Sequence, residues 1–136
     1  MIRFLILFFV TSATFASDVL TIRDAYIRLA PLGAPLAGYG VLINHSDKNS
    51  VLVDANATWA GMTMMHESRE ENGMAKMRHL DSVTVPAHGE LVLQPGGIHL
   101  MFMQTPKNLK IGDTLDVELL GEQEKRYPLT FTVQAK

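Results

Sequence analysis

Short apolar-rich runs, several of which alternate apolar with polar residues, cover most of the chain and are separated by turn residues. The runs are rich in Val, Ile, Leu, Thr and Tyr, which favour strands, and none shows sustained helical periodicity. The pattern predicts ten strands, at residues 20–29, 37–44, 50–57, 61–67, 74–80, 82–86, 90–94, 98–104, 114–120 and 129–134. Strands at this spacing, without helices between them, predict an all-β fold, an antiparallel sandwich or barrel.

The first 16 residues, MIRFLILFFVTSATFA, have the layout of a secretory signal peptide. Arg3 precedes an apolar run, and small residues precede the expected cleavage point. The apolar run is shorter than the about 20 residues that a membrane-spanning helix needs. We therefore predict a cleaved signal peptide at residues 1–16, a single domain at residues 17–136, and a periplasmic location. An uncleaved membrane anchor is the alternative, and no Cys follows the cut to indicate a lipoprotein.

The composition narrows the possible partners of the predicted domain. The chain has no Cys and a formal net charge of −2. A domain of this size buries enough surface to fold without disulfides, so packing must hold it together in an oxidising compartment. No basic patch is present, so nucleic acid is excluded as a partner, and no Lys/Arg cluster indicates a lipid surface.

Methionine and histidine are concentrated in one part of the sequence. Seven of the eight Met and four of the five His fall within residues 62–103: Met62, Met64, Met65, Met74, Met77, Met101, Met103, His66, His79, His88 and His99. A single Met is most often a flexible core residue. Imidazole is seldom used to fill a core, so the interleaving of both residue types favours a metal-binding region.

Alternation within the strand at residues 98–104 separates two kinds of side chain. His99, Met101 and Met103 fall on one face, and aliphatic or aromatic residues fall on the other. Core packing explains the aliphatic face and leaves the imidazole and thioether face unexplained. As a metal ligand, Met101 would lie on the solvent-facing side of this strand.

Asn72-Gly73 is a strong hairpin signal, because both residues tolerate the positive φ of a type I′ turn. Counting back from this turn sets Ser68 opposite Met77 and His66 opposite His79. His66 and Met77 are then diagonal neighbours about 7–8 Å apart at the backbone, close enough to share an ion. The same count makes His79 a competing ligand.

Two imidazoles and two thioethers indicate which ion such a region would bind. Thioether is a soft, uncharged donor that suits Cu(I) and is poor for Mg, Ca or Mn. Zinc would more naturally recruit Cys, His or carboxylates. The donor chemistry therefore predicts Cu(I).

The region resembles the metal-binding core of the PCuAC family of periplasmic copper(I) chaperones. The family pattern is His, ten residues, Met, twenty-one residues, His, one residue, Met. His66, Met77, His99 and Met101 match it completely, and His99 and Met101 lie in the run PGGIHLM. Weaker similarity extends from DAYIR to KIGDTLDVEL, so the resemblance spans nearly all of the predicted mature chain.

The resemblance implies a cupredoxin-like Greek-key β-sandwich and a non-enzymatic protein that binds one Cu(I) through these four residues. It further implies delivery of copper to the dinuclear copper site of cytochrome c oxidase, with transient contact with that domain or with a Sco-type protein. We expect a monomer. Some relatives carry a His/Met-rich carboxy-terminal tail for Cu(II), whereas this chain ends VQAK, which makes a second site of that kind doubtful.

Several other residues allow both a structural and a functional interpretation. Met64 and Met103 share strand faces with the candidate histidines, and are either an outer shell or access route for the ion or plain packing. The acidic run 67–71 is read as a solvated loop, or as a negative patch that meets a basic partner. Three further residues are expected away from the ion: Trp59 in the core, and His45 and His88 in solvated turns.

Four other functions are alternatives to copper delivery. Copper sequestration for resistance uses the same chemistry and is the main alternative. Blue-copper electron transfer needs a Cys thiolate, which the chain lacks. Catalysis would need a nucleophile motif, paired carboxylates or an oxyanion hole, and the sequence has none of these signatures. A purely structural sandwich would leave the His/Met face unexplained.

Overall fold

The computed structural model describes residues 19–135, so the predicted signal peptide lies outside the described residues. All ten predicted strands are present, with ends that differ by four residues at most. They are β1 (Leu20–Arg28), β2 (Leu36–Asn44), β3 (Ser50–Asn56), β4 (Met62–Glu71), β5 (Met74–His79), β6 (Val83–Val85), β7 (Glu90–Leu93), β8 (Ile98–Met103), β9 (Thr114–Gly121) and β10 (Arg126–Gln134). Within this part of the chain the helical structure is limited to a 3₁₀ turn at Glu122–Glu124, and no helix is long and apolar enough to span a membrane.

Two strands are longer than the sequence pattern predicts. The run 67–71 belongs to β4, so its reading as a loop is wrong, because the Asn72-Gly73 turn continues the pairing to the end of the hairpin. β10 begins at Arg126 and includes Pro128, which pairs with Glu118 of β9. Its pairing with β1 begins at Thr132, so Pro128 occupies a stretch whose other edge is unpaired there, where a missing N–H is tolerated.

The strands form one hydrogen-bonded path in the order β5-β4-β8-β2-β1-β10-β9-β3-β6, and β7 pairs with β2 beside β8. The pairings are antiparallel except for one: β1 and β10 run parallel, in a departure from the fully antiparallel sheet that was predicted. Parallel neighbours need a long connection, and here nearly the whole domain lies between the two strands.

The core is one apolar cluster to which most of the strands contribute. Ile27, Phe102 and Phe131, from β1, β8 and β10, are fully buried in one apolar cluster that also draws on β2, β3 and β9. At Gly38 of β2 an added Cβ would lie 2.9 Å from Phe102, so this glycine lets β2 and the Phe102 ring approach closely. The result is a packed core on one face of β8.

The hairpin between β4 and β5 has the register that its turn predicts. Asn72 and Gly73 have φ values of 52° and 75°, as a type I′ turn requires. Ser68 lies opposite Met77 and His66 opposite His79. This register sets the alignment of the candidate ligands on β5 with those on β4.

Candidate metal centre

Three histidines form a row across the three strands at one end of the sheet. His66 on β4 is the cross-strand partner of His79 on β5 and also of His99 on β8. The His66 ring centroid lies 6.0 Å from that of His79 and 6.0 Å from that of His99, with edge-on geometry in both pairs. Long-range pairing of β4 with β8 therefore brings together two histidines that are 33 positions apart in the sequence.

The inner histidine is buried and held in one orientation. His99 is 3% exposed, and its Nδ1 lies 3.0 Å from the carbonyl oxygen of Gly97. A carbonyl only accepts, so Nδ1–H is the donor, and in the neutral ring Nε2 keeps its lone pair. A backbone hydrogen bond of this kind fixes the tautomer and ring orientation of metal-binding histidines.

The central histidine has an unpaired buried nitrogen. Among the described residues, Nδ1 of His66 is one of three buried side-chain polar atoms without a hydrogen-bond partner. Burial lowers the pKa of His66 from its ordinary value of 6.5, and the neighbouring His99 and His79 lower that pKa further. The lowered pKa favours the neutral ring of His66, which has a lone pair to offer an ion. A buried nitrogen that lacks a partner is the fit expected for a position that an ion completes.

Thioethers line the same face beside the histidine row. Met64 on β4 pairs with Met101 on β8, two positions along each strand from the His66–His99 pair and so on the same face. Met62 pairs with Met103 two positions further on. Met64 and Met103 are half-buried, so they extend the thioether face away from the row. Both interpretations of these two residues, an outer shell or access route for the ion and plain packing, stay predictions.

Met101 is 9% exposed, so its expected place on a solvent-facing side is wrong. Both faces of β8 are covered, because its four central residues, which alternate between the two faces, are all buried. Met77 has the opposite environment. It is 55% exposed on β5, diagonal to His66 and two positions from His79 on the same face. The four predicted ligands thus comprise a buried pair, His99 and Met101, and a more accessible pair, His66 and Met77.

The donors on this face are of mixed type. Within residues 19–135, no three His, Cys, Asp or Glu side chains are grouped closely enough to hold an ion together. Imidazole nitrogen in this part of the sheet is accompanied by thioether sulfur from Met64, Met77 and Met101. Such a set matches the preference of Cu(I) for soft, neutral donors.

Sequence reasoning missed two tyrosines that flank the histidine row. Tyr39 of β2 is 7% exposed, and its ring centroid lies 6.1 Å from that of His99 and 5.2 Å from that of Tyr26. A bulge after Arg23 in β1 shifts the register so that Tyr26 pairs with Tyr39. Burial raises the pKa of Tyr39 above its ordinary 10.0, although Arg28, 5.4 Å from the ring centroid, acts in the opposite direction. The sequence marks Tyr39 only by the glycines on either side of it, and this pattern does not predict that its ring packs beside His99.

The acidic run beside the hairpin is largely neutralised. Glu67 lies 2.9 Å from Arg69 and 3.0 Å from Arg78, and Glu71 lies 3.4 Å from Lys76. The reading of this run as a bare negative patch is therefore not supported by its geometry.

The remaining candidates lie apart from the histidine row. His45 is exposed and hydrogen-bonds Thr21, and His88 is exposed beside Asp47, as their turn contexts predicted. Trp59 is half-buried: it packs on Phe102 of the core, and its Nε1–H donates to a backbone carbonyl.

Residues 20–133 match the family described as "LpqE-like: Putative lipoprotein LpqE-like". The chain is also 27% identical over 119 residues to "Putative lipoprotein Lxx21020" of Leifsonia xyli subsp. xyli (strain CTCB07). That alignment covers 87% of this chain and 71% of the relative.

Solved structures share the fold. The solution structure of CuI-DR1885 from Deinococcus radiodurans has a TM-score of 0.67 and 29% identity, covering 90% of this chain and 80% of that one. The copper-bound PCuAC domain from PmoF2 has a TM-score of 0.70 and 17% identity, covering 90% and 97% of the two chains. At that identity the second likeness shows the fold alone. The prediction of a cupredoxin-like β fold is confirmed. With its family match spanning nearly all the described residues, the chain belongs to the LpqE-like family and has the PCuAC-type fold that its motif predicted.

Proposed function

We propose that this protein is a copper chaperone of the periplasm that binds one Cu(I) through His66, Met77, His99 and Met101. In this role copper is cargo, and the protein has no catalytic activity of its own. The observation that carries the proposal is the histidine row: His66, with its unpaired buried Nδ1, lies beside His99 and among thioethers.

The donor set supports reversible binding of a monovalent ion. All four side chains are neutral when they bind, so the site acquires only the single charge of Cu(I). The thioethers need no deprotonation, and the hydrogen bond from His99 to Gly97 leaves Nε2 with its lone pair. A soft neutral site discriminates against hard divalent cations without holding the ion as tightly as thiolates would.

The relatives support copper as the cargo. Two structures of the same fold, CuI-DR1885 and the PCuAC domain from PmoF2, are described as copper-bound, and the first is 29% identical to this chain. For the location, the support is the signal-peptide pattern of residues 1–16 together with the lipoprotein names of the family and of the Leifsonia relative. This chain contains no Cys, so it differs from a lipoprotein that carries its lipid on that residue.

Delivery to the copper site of cytochrome c oxidase, through transient contact with that domain or a Sco-type protein, is the function that the PCuAC resemblance favours. The partial exposure of the site agrees with delivery, because Met77 is accessible to an incoming partner. Sequestration is the second candidate, and the burial of His99 and Met101 is the feature that favours it.

The test of the ligand set is reconstitution of the purified domain with Cu(I) under reducing conditions. We expect one tightly bound ion per chain, and X-ray absorption should count about two N and two S neighbours. Recovery of N and O neighbours alone would refute the proposal. Competition with a reduced oxidase copper-site domain then separates delivery from sequestration, because a chaperone must lose its copper to that domain.

A further inference from the structure

β5 presents a second imidazole and thioether pair that the four-residue site does not use fully. His79 and Met77 are two positions apart on this strand, so alternation places both on the face that carries His66. The side chain of His79 is 56% exposed and Met77 is 55% exposed. Besides His66, the described neighbour of the His79 ring is Asp81. Its Oδ1 lies 3.7 Å from Nε2 of His79, beyond hydrogen-bond range.

His66 is equally distant from the inner and the outer histidine. A metal–imidazole bond is about 2.0–2.1 Å, which places an ion roughly 3 Å from each ring centroid. Two rings whose centroids are 6.0 Å apart can therefore share one ion, and both the His66–His99 and the His66–His79 pairs meet this condition. One face of the three strands β5, β4 and β8 thus offers two imidazole pairs that have His66 in common.

The two pairs differ sharply in accessibility. The inner pair is completed by Met101, and both His99 and Met101 are less than one-tenth exposed. The outer pair is completed by Met77, and both His79 and Met77 are more than half exposed. A recipient's ligand can reach an ion in the outer position, because His79 and Met77 are exposed, whereas His99 and Met101 are buried and an ion bound to them is less accessible.

We propose that His79 is a further ligand: it forms, with His66 and Met77, an outer Cu(I) position through which the ion passes on its way into and out of the inner site. In the outward step the bonds from copper to His99 and Met101 break and a bond to the His79 nitrogen forms, while His66 and Met77 stay bound. All ligands are neutral and the ion remains Cu(I), so neither a proton nor an electron is transferred. This proposal rests on the proposed Cu(I) function.

The test separates transfer rate from equilibrium affinity. Wild type, His79→Asn and His99→Asn are loaded with Cu(I), affinity is measured by competition with bicinchoninate, and the rate of transfer to excess chelator by stopped flow. We expect His79→Asn to keep its Cu(I) affinity within about twofold. It should transfer copper about tenfold more slowly, because the outer position is lost as an intermediate and the barrier to transfer rises. His99→Asn should lose affinity, because it removes a ligand of the inner site.

His88→Asn is the matched control, since His88 is an exposed histidine paired with Asp47 and remote from the row. His88→Asn should change neither the Cu(I) affinity nor the transfer rate. Because the side chain of His79 is exposed, His79→Asn should fold normally, so misfolding would not account for slow transfer. Transfer at the wild-type rate by His79→Asn would overturn the proposal. So would a loss of affinity as large as that of His99→Asn, since His79 would then belong to the inner site. Failure of the wild type to bind Cu(I) would instead overturn the proposed function.

Discussion

Replacing Met77 with alanine should weaken copper binding and leave the fold intact. The side chain is 55% exposed on β5, so its truncation opens no cavity, and we expect the free energy of unfolding of the apo-protein to change by less than about 0.5 kcal/mol. If Met77 is the ligand we propose, loss of its thioether removes one bond to Cu(I). We expect Met77→Ala to weaken that affinity at least about tenfold, which corresponds to about 1.4 kcal/mol.

The buried thioether should give a different profile. Met101 is 9% exposed, and truncating a buried Met costs about 2–5 kcal/mol. For a domain of this size, 1 kcal/mol shifts Tm by roughly 3–5 °C, so Met101→Ala should melt roughly 6–25 °C below wild type. The same variant should also lose Cu(I) affinity. Of the two proposed ligands, Met101 is therefore also expected to act as a packing residue, whereas Met77 is not.

The assay is thermal unfolding of the apo-protein together with Cu(I) competition on each variant. Met74→Ala is the matched control, because Met74 is 65% exposed on the same strand and an odd number of positions from Met77, which places it on the opposite face. It should leave both measurements unchanged. Equal loss of copper by Met74→Ala and Met77→Ala would refute the face assignment. A wild-type Tm for Met101→Ala would refute the argument from burial.

Three further predictions use the same contrast between buried and exposed groups. Peroxide should convert Met77 of the apo-protein to the sulfoxide ahead of Met101, and bound Cu(I) should protect Met77; mass spectrometry showing equal oxidation with and without copper would contradict its role. The lowered pKa of His66 means that the unfolded chain takes up a proton near pH 6.5, whereas the folded chain does so only at lower pH. The free energy of unfolding of the apo wild type should therefore fall more than that of His66→Asn as the pH drops below about 6.5. The check is Tm measured against pH for both proteins, and an equal fall in Tm would disprove this. Leu100→Ala, at a position 2% exposed, should cost about 2–5 kcal/mol while retaining the copper ligands, which unfolding and competition will check.

Local features of the sequence determined the strands and the hairpin. Strand-favouring residues and the turn residues between them located all ten strands, and several of the runs also alternate apolar with polar positions, as half-buried strands do. The Asn72-Gly73 turn set the register of β4 and β5, since a two-residue turn leaves one pairing, and it placed His66 opposite His79 and diagonal to Met77. The motif that includes His99 gave the family resemblance.

Only the tertiary structure decided which strands are neighbours, and from this follow the environments of the candidate ligands. Pairing of β8 with β4 brings His99 beside His66, and the packing of the folded chain leaves Met101 only 9% exposed. The same arrangement packs Tyr39 beside His99. Alternation tells which side chains share a face and gives no measure of what covers that face. The burial of Met101 and the unpaired nitrogen of His66 arise from contacts between strands far apart in the sequence, which a local pattern does not encode.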